Sequence, residues 1–121
     1  MAVATIYHNP NCSSSTHAVG VAADLGLDVE IVQYLKHPLD AETLGHIVAV
    51  FDGDVTELVR RDNTWKTLGL TDADVVTPEQ VIAVLVEHPK LLQRPLIVTP
   101  DRAFIGRPKD EVPAMLRSLE G

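Results

Sequence analysis

The chain has 121 residues, of which 45% are hydrophobic and only 4% aromatic, a composition typical of one small domain with an aliphatic core. Its formal net charge of −7 argues against a general attraction to nucleic acid or anionic membranes and favours a soluble monomer. A single cysteine excludes an internal disulfide and is typical of a protein of the reducing cytoplasm.

The first third of the chain predicts a strand, a helix and a second strand. Residues 3–7 form a short β-branched run, and residues 29–35 form another that is rich in Val, Ile and Tyr. Between them, residues 13–25 carry apolar side chains at the spacing i, i+3, i+4, i+7, and Gly26 follows as a helix stop. This order predicts two parallel strands joined by a right-handed crossover.

The middle of the chain, residues 39–92, predicts a run of short helices with no strand. Asp40 can cap the first helix, and Asp54 with Glu57 matches the capping-box pattern of another. The run Thr77-Pro78-Glu79-Gln80 is a stronger start signal, because it combines an N-cap threonine, proline at the first helical position and glutamine at the third.

Strands return in the last quarter of the chain. Residues 95–99 and 103–106 predict a hairpin, and residues 109–119 predict a final helix. The whole order predicts an α/β, thioredoxin-like fold, in which a mixed four-stranded sheet has an all-helical insertion between its second and third strands. We expect residues 1–121 to form a single domain, with the insertion at about residues 39–92.

Cys12 is the only cysteine, and it lies where the first strand is predicted to give way to the first helix. Unpaired backbone N–H groups and the positive end of the helix dipole both favour a thiolate at such a position. An isolated cysteine is often a small buried hydrophobe, but the polar loop of residues 9–15 favours a reactive role here. Ser15 occupies the place of the second cysteine of a C-x-x-C motif, so an oxidised Cys12 has to be resolved by another molecule's thiol.

One proline and three arginines are further site candidates. In thioredoxin-like proteins a proline, commonly in cis, opens the third strand and faces the cysteine; Pro95 takes that place. Arg94 and Arg107 lie at the strand ends expected near Cys12, and Arg60 lies near the end of a short helix. Guanidinium groups bind tetrahedral oxyanions through paired hydrogen bonds. Each arginine alone is slightly better explained as a surface cation or half of a salt bridge, but the set converging on one thiol favours an anion site.

Other polar and aromatic residues carry weaker signals. His8 lies four residues before Cys12, where it could hydrogen-bond the thiol, shift its pKa, or cap the loop. The five histidines have no short metal-ligand spacing, so we expect no metal site. Tyr34 and Trp65 are interpreted as packing residues. The start of the chain lacks a basic segment and no apolar run approaches ~20 residues, so we expect neither a signal peptide nor a membrane span.

Four segments together carry a resemblance to a known family. They are Tyr7-His8-Asn9-Pro10-Asn11-Cys12, Leu58-Val59-Arg60, Arg94-Pro95-Leu96-Ile97-Val98-Thr99-Pro100 and Ile105-Gly106-Arg107-Pro108. As a set they resemble the glutaredoxin-coupled arsenate reductases, and the resemblance covers essentially the whole chain, including the helical block. The chain departs from that family after the cysteine, where Ser13-Ser14-Ser15-Thr16 stands in place of the usual Gly-Thr-Ser-Arg.

The resemblance implies a catalytic Cys12 that attacks arsenate and forms a covalent adduct. The oxyanion-binding residues that it implies are Arg60, Arg94 and Arg107. The supporting residues that it implies around the thiolate are His8 and Ser15. It further implies no bound cofactor, with electrons from an external low-molecular-weight thiol such as glutathione and from a glutaredoxin-like partner.

The sequence therefore predicts a cytoplasmic enzyme that reduces arsenate to arsenite with external thiols. Two alternatives stay open at this point. One is a non-enzymatic thioredoxin-like adaptor or thiol-stress regulator that binds a protein partner, although such sensors often use a resolving cysteine. The other is a glutathione-dependent reductase of a different substrate.

Overall fold

A computed structural model of the protein describes residues 3–107 and 109–119. Within them the strands and α-helices follow in the order β1 (Ala4–His8), α1 (Ser13–Asp24), β2 (Val29–Gln33), α2 (Ala41–Val50), α3 (Asn63–Thr67), α4 (Pro78–Glu87), β3 (Leu96–Val98), β4 (Ala103–Ile105) and α5 (Val112–Arg117). Short 3₁₀ turns cover Val55–Leu58, Asp72–Val75, Pro89–Leu91 and Lys109–Glu111. Pro108, which ends the fourth family-like segment, lies outside the described residues.

The strands form one mixed sheet in the order β2-β1-β3-β4. β1 runs parallel to β2, with Ile6 opposite Ile31, as the strand–helix–strand order predicts. β3 runs antiparallel to β1, with Ile97 opposite Ile6, and β4 pairs antiparallel with β3, with Phe104 opposite Ile97. The predicted thioredoxin-like fold, with its helical insertion between β2 and β3, is confirmed.

The sheet separates two apolar cores, because successive side chains of a strand point to opposite faces. On one face α1 and α5 pack against the sheet, and the buried residues there are Ala4, Ile6, Ala18, Ala22, Ile97, Phe104, Val112 and Leu116. On the other face the helical insertion packs around a larger cluster that includes Tyr34, Leu44, Ile47, Leu58, Trp65, Val81, Leu92 and Leu96. The strand β1 is therefore packed on both faces, and this packing holds the start of the loop that follows it.

Local capping signals account for most helix starts. Asp40 accepts a hydrogen bond from the Thr43 N–H at 2.8 Å and begins α2. Thr77 and Gln80 form the predicted capping box of α4, with the Gln80 N–H 3.2 Å from Thr77 Oγ1. Asp54 instead accepts from the N–H two residues later and begins only a single 3₁₀ turn. A capping pattern therefore predicts where a helix begins but not how long the helix is.

β2 is shorter than the predicted range of residues 29–35. The Gln33 carbonyl accepts hydrogen bonds from the Lys36 and His37 N–H groups, each at 3.0 Å, so a turn begins where the apolar run suggests more strand. Tyr34 therefore lies beyond the end of β2, and its side chain is buried in the core, whereas Leu35 is exposed.

The final helix is also shorter than predicted. Instead of one helix over residues 109–119, a 3₁₀ turn at Lys109–Glu111 leads into α5. Pro113 lies in the first turn of α5, where its missing N–H removes no helical hydrogen bond. Val112 and Leu116 are the residues that α5 buries against α1 and the sheet.

Candidate active site

The loop between β1 and α1 presents Cys12 at the start of α1. Cys12 is the N-cap residue, with an extended backbone conformation, and its side chain accepts no capping hydrogen bond from the helix. Its own N–H donates to the Asn9 carbonyl at 3.0 Å, and the Asn9 side-chain carbonyl accepts from the Asn11 N–H at 2.9 Å. These two hydrogen bonds fold residues 9–12 into a tight turn that fixes the position of the sulfur.

Ser15 and His8 support this loop through hydrogen bonds. Ser15 is fully buried, its Oγ lies 2.6 Å from His8 Nδ1, and it accepts from the Asn9 N–H at 2.9 Å. In the described part of the chain the His8 ring is therefore hydrogen-bonded to Ser15, and no hydrogen bond joins it to Cys12. The Ser15 hydroxyl is likewise used within the loop, and the Ser15 backbone N–H is the group of this residue that lowers the pKa of Cys12.

The surroundings of Cys12 favour its thiolate. Burial raises the pKa of Cys12, since it disfavours the charged form. The Ser15 N–H, the Arg94 side chain and the Ser14 N–H act in the opposite direction and lower the pKa of Cys12, and the charge of Arg94 adds to their effect. The net result is a pKa below the ordinary thiol value on a sulfur that stays partly accessible. Arg107 Nη2, which lies 3.6 Å from the sulfur, brings a second guanidinium to it.

Arg94 and Arg107 are held together beside the thiol. Arg107 Nε donates to the Arg94 carbonyl at 2.8 Å, and Arg94 Nη1 donates to the Lys90 carbonyl at 3.2 Å. The Arg94-Pro95 peptide bond is cis. The Gly106 N–H donates to the Pro95 carbonyl at 2.8 Å, and a Cβ on Gly106 would lie only 2.7 Å from Pro95 Cγ. The close approach of β3 and β4 at Gly106 therefore positions both arginines.

Arg60 is linked through its backbone to the segment that precedes Arg94. Its N–H donates to the Leu91 carbonyl at 2.7 Å, which ties the end of a 3₁₀ turn to the segment that leads into Arg94. Its side chain pairs with Asp62, with Nε 3.9 Å from Oδ2. In residues 3–107 and 109–119, no hydrogen bond or ion pair joins the Arg60 guanidinium to Cys12. The structure thus brings two of the three predicted arginines to the sulfur.

A cavity of about 220 Å³ opens next to these groups. It is lined by Asn9, Leu35, Asp62, Thr64, Lys90 and Arg94. Arg94, which lines this cavity, is also one of the groups that lower the pKa of Cys12. Two cationic side chains and one carboxylate line it, which gives it a local positive charge on a chain of net charge −7.

Comparison with known proteins decides the family. The sequence model of the ArsC family matches residues 7–115, a range that contains Cys12, the three candidate arginines and Pro95. The chain belongs to the ArsC family. The family resemblance seen in the sequence is thereby confirmed.

Individual proteins similar to this chain match over most of their length. The uncharacterized protein YfgD of Escherichia coli K12 is 37% identical over 109 residues, which cover 88% of this chain and 91% of YfgD. An arsenate reductase of Escherichia coli is 32% identical over 117 residues, which cover 96% of this chain and 82% of the relative. The solved structure of an arsenate reductase from Vibrio cholerae matches with a TM-score of 0.80 at 30% identity, covering 93% of this chain and 97% of that one.

Two residues of this ArsC-family site were not predicted from the sequence. Lys109 Nζ donates to Ser13 Oγ at 3.1 Å and so brings a further cation to the start of α1. Its position just after the Arg107 segment is the signal that could have indicated it. Tyr34 was interpreted as a packing residue, and its ring is indeed in the core. Its hydroxyl also interacts with Arg94, which the apolar pattern around it does not reveal.

The site is built from a thiol, backbone N–H groups and guanidinium groups. Among the described residues, no group of three or more His, Cys, Asp or Glu side chains is arranged to hold a metal ion. Across the same residues, no helix has the length and apolar character that a membrane span requires.

Proposed function

We propose that this ArsC-family chain is an oxidoreductase that reduces arsenate to arsenite, with Cys12 as its nucleophile. The observation that carries the proposal is a partly accessible sulfur at the start of α1, next to Arg94 and with Arg107 Nη2 at 3.6 Å. The lowered pKa of Cys12 supports attack by its thiolate. The names of the Escherichia coli and Vibrio cholerae relatives support arsenate as the substrate.

In the first proposed step the Cys12 thiolate attacks arsenic and forms an S–As bond. One arsenate oxygen takes up protons and leaves as water, so arsenic stays in oxidation state V. Arg94 and Arg107 neutralise the oxyanion and the negative charge that moves during the displacement. Guanidinium groups suit this task because they donate paired hydrogen bonds and keep their charge at physiological pH.

Arg60 is proposed as the third oxyanion ligand, as the family resemblance implies. Its present partner, Asp62, lies 3.9 Å away, and both side chains are partly exposed. Ion pairs of this length at the surface contribute little free energy, so an incoming anion competes easily with Asp62 for the guanidinium. His8 and Ser15 are proposed to support the reaction through the loop that holds Cys12.

The reduction itself needs two electrons, and the chain contains one thiol. We therefore propose that a low-molecular-weight thiol such as glutathione attacks the adduct. The S–As bond breaks, arsenite leaves with arsenic in oxidation state III, and a mixed disulfide forms in which each sulfur has given one electron. A glutaredoxin-like partner then restores Cys12 by thiol–disulfide exchange. The proposed cycle uses no bound metal or nucleotide. We propose that the protein acts as a monomer in the reducing cytoplasm.

A coupled assay tests this proposal directly. Purified protein, glutathione, glutaredoxin and glutathione reductase should oxidise NADPH only when arsenate is added, and Cys12→Ser should abolish that oxidation while the fold stays intact. Oxidation with another acceptor but not with arsenate would favour a reductase of a different substrate. No turnover with any thiol would favour the adaptor. Turnover by Cys12→Ser would remove Cys12 from the mechanism.

A further inference from the structure

The Asp62 carboxylate uses its two oxygens for different contacts. Oδ1 accepts a hydrogen bond from the Trp65 N–H at 3.2 Å and so caps α3, whereas Oδ2 lies 3.9 Å from Arg60 Nε. The helix that Asp62 caps is anchored, because Trp65 at its centre is buried in the larger apolar cluster. The carboxylate is therefore held beside Arg60 by the cap as well as by the ion pair.

The cap does not need the negative charge of Asp62, since asparagine and serine cap helices about as well as aspartate does. The next residue, Arg61, does not need that charge either, because its Nε lies 3.0 Å from Asp72 Oδ1. Among the described residues, the ion pair of Asp62 is the one with Arg60. The charge is thus used on a guanidinium that is proposed to bind the oxyanion.

Asp62 is also part of the cavity next to the reactive loop. It lines the cavity of about 220 Å³ together with Asn9 and Arg94. The Asn9 carbonyl accepts from the Cys12 N–H at 3.0 Å. The Arg94 carbonyl accepts from Arg107 Nε at 2.8 Å, and Arg107 Nη2 lies 3.6 Å from the Cys12 sulfur. Hydrogen bonds therefore connect two walls of this cavity to the thiol, and Asp62 supplies a carboxylate to the same cavity.

A short antiparallel pairing brings the Arg60–Asp62 pair alongside this region. Val59 forms a β-bridge with Leu92, two residues before Arg94. The segment that carries Arg60 and Asp62 thus runs next to the segment that ends in Arg94. An oxyanion that binds both arginines meets the Asp62 carboxylate as a competitor.

We propose that Asp62 lowers the affinity of the site for oxyanions, because its carboxylate competes with the oxyanion for the Arg60 guanidinium. The competition is moderate, since the pair is longer than a hydrogen bond and both side chains are partly exposed. This inference rests on the proposed function, in which Arg60 is an oxyanion ligand. It adds that the affinity of the site is set by a residue that the oxyanion displaces.

The test compares Asp62→Asn with Asp40→Asn. Asp40 caps α2 through the same contact, with the N–H three residues later, and it is not among the residues that line the cavity. Both changes keep a capping residue and remove one negative charge. The readout is the arsenate concentration that halves the rate of Cys12 alkylation by iodoacetamide, without a reducing thiol and relative to each protein's own rate without arsenate. Asp62→Asn should lower that concentration about twofold to fivefold, the size expected of a partly exposed ion pair, and Asp40→Asn should leave it unchanged.

A second comparison shows whether Asp62 acts through Arg60. In an Arg60→Ala background, Asp62→Asn should no longer lower the protecting concentration of arsenate, because the guanidinium for which the two anions compete is gone. An equal effect in both backgrounds would overturn the inference, since Asp62 would then act on the oxyanion by repulsion alone.

Asp62→Ser covers the case in which Asp62→Asn fails to fold, because serine also caps helices and carries no charge. It should lower the protecting concentration by a similar factor. Equal or weaker protection of the Asp62 variants, with the wild type protected, would refute the competition and leave the proposed function in place. No protection of any of these proteins by arsenate would instead refute the oxyanion site, and the proposed function and this inference would fall together.

Discussion

Gly106→Ala tests the close approach that positions the arginines. A Cβ on Gly106 would lie 2.7 Å from Pro95 Cγ and 3.1 Å from Ile97 Cδ1, whereas carbon atoms in contact are normally about 3.5–4.0 Å apart. The Pro95 ring cannot rotate away, so the strands that carry Pro95 and Gly106 have to separate. Overpacking of this kind costs about 1–3 kcal/mol.

Part of that cost is offset in the unfolded chain. Replacing glycine by alanine reduces the conformational entropy of the unfolded state and stabilises a protein by about 0.4–1 kcal/mol where the backbone permits it. The net effect of Gly106→Ala is therefore a loss of about 1–2 kcal/mol. For a chain of this length we expect the Tm to fall by roughly 4–8 °C.

Gly20→Ala is the matched control. Gly20 lies within α1, and a Cβ there would meet no atom within 4 Å. Alanine should stabilise this helix by about 0.5–1 kcal/mol and raise the Tm. Thermal unfolding followed by circular dichroism measures both variants, and the predicted shifts have opposite signs. A Tm for Gly106→Ala equal to or above that of the wild type would refute the close approach between Gly106 and Pro95.

Three further substitutions test separate parts of the account. Cys12→Ser should abolish arsenate reduction with little change in Tm, and residual thiol-dependent turnover would contradict the role of the sulfur. Arg107→Ala should lower kcat/KM for arsenate about 10- to 150-fold, the equivalent of ~1.5–3 kcal/mol for a charged hydrogen-bond partner, and steady-state kinetics that match the wild type would assign this arginine to structure. Ser15→Ala should destabilise the fold by about 1–3 kcal/mol in urea unfolding, because it leaves the buried N–H of Asn9 without its acceptor. Ser13→Ala, at an exposed position of the same helix, should change stability by less than about 0.5 kcal/mol, and equal effects of the two serines would contradict that explanation.

Local signals explain why the fold could be predicted from the sequence. Asp40 and Thr77 mark helix starts because their side-chain oxygens accept from the backbone N–H group three residues later, a contact that the sequence specifies by itself. The strand patterns predicted a mixed four-stranded sheet because few topologies join a parallel pair to a hairpin. The end of β2 was harder to predict, since the turn at Gln33 interrupts a run that remains apolar as far as Leu35.

The site was predicted less completely because its contacts join distant residues. Cys12 and Arg107 are 95 positions apart, and their approach follows from the sheet order. Whether a guanidinium contacts the thiol or a neighbouring carboxylate depends on side-chain geometry, which the sequence pattern does not specify. Arg60, for example, pairs with Asp62. The Tyr34 hydroxyl was missed for a related reason, since an apolar ring in a core pattern gives no sign of where its polar end lies.

The pKa of Cys12 tests the central claim most directly, because the proposed reaction begins with a thiolate held by α1 and two guanidinium groups. The rate of alkylation by iodoacetamide, measured against pH, reports that pKa at the one cysteine of the chain. We predict a midpoint below the ~8.5 of a free thiol, so that the rate falls only when the pH drops through this lower value. Arg94→Ala should move the midpoint upward. A wild-type midpoint at or above that of a free thiol would contradict the account.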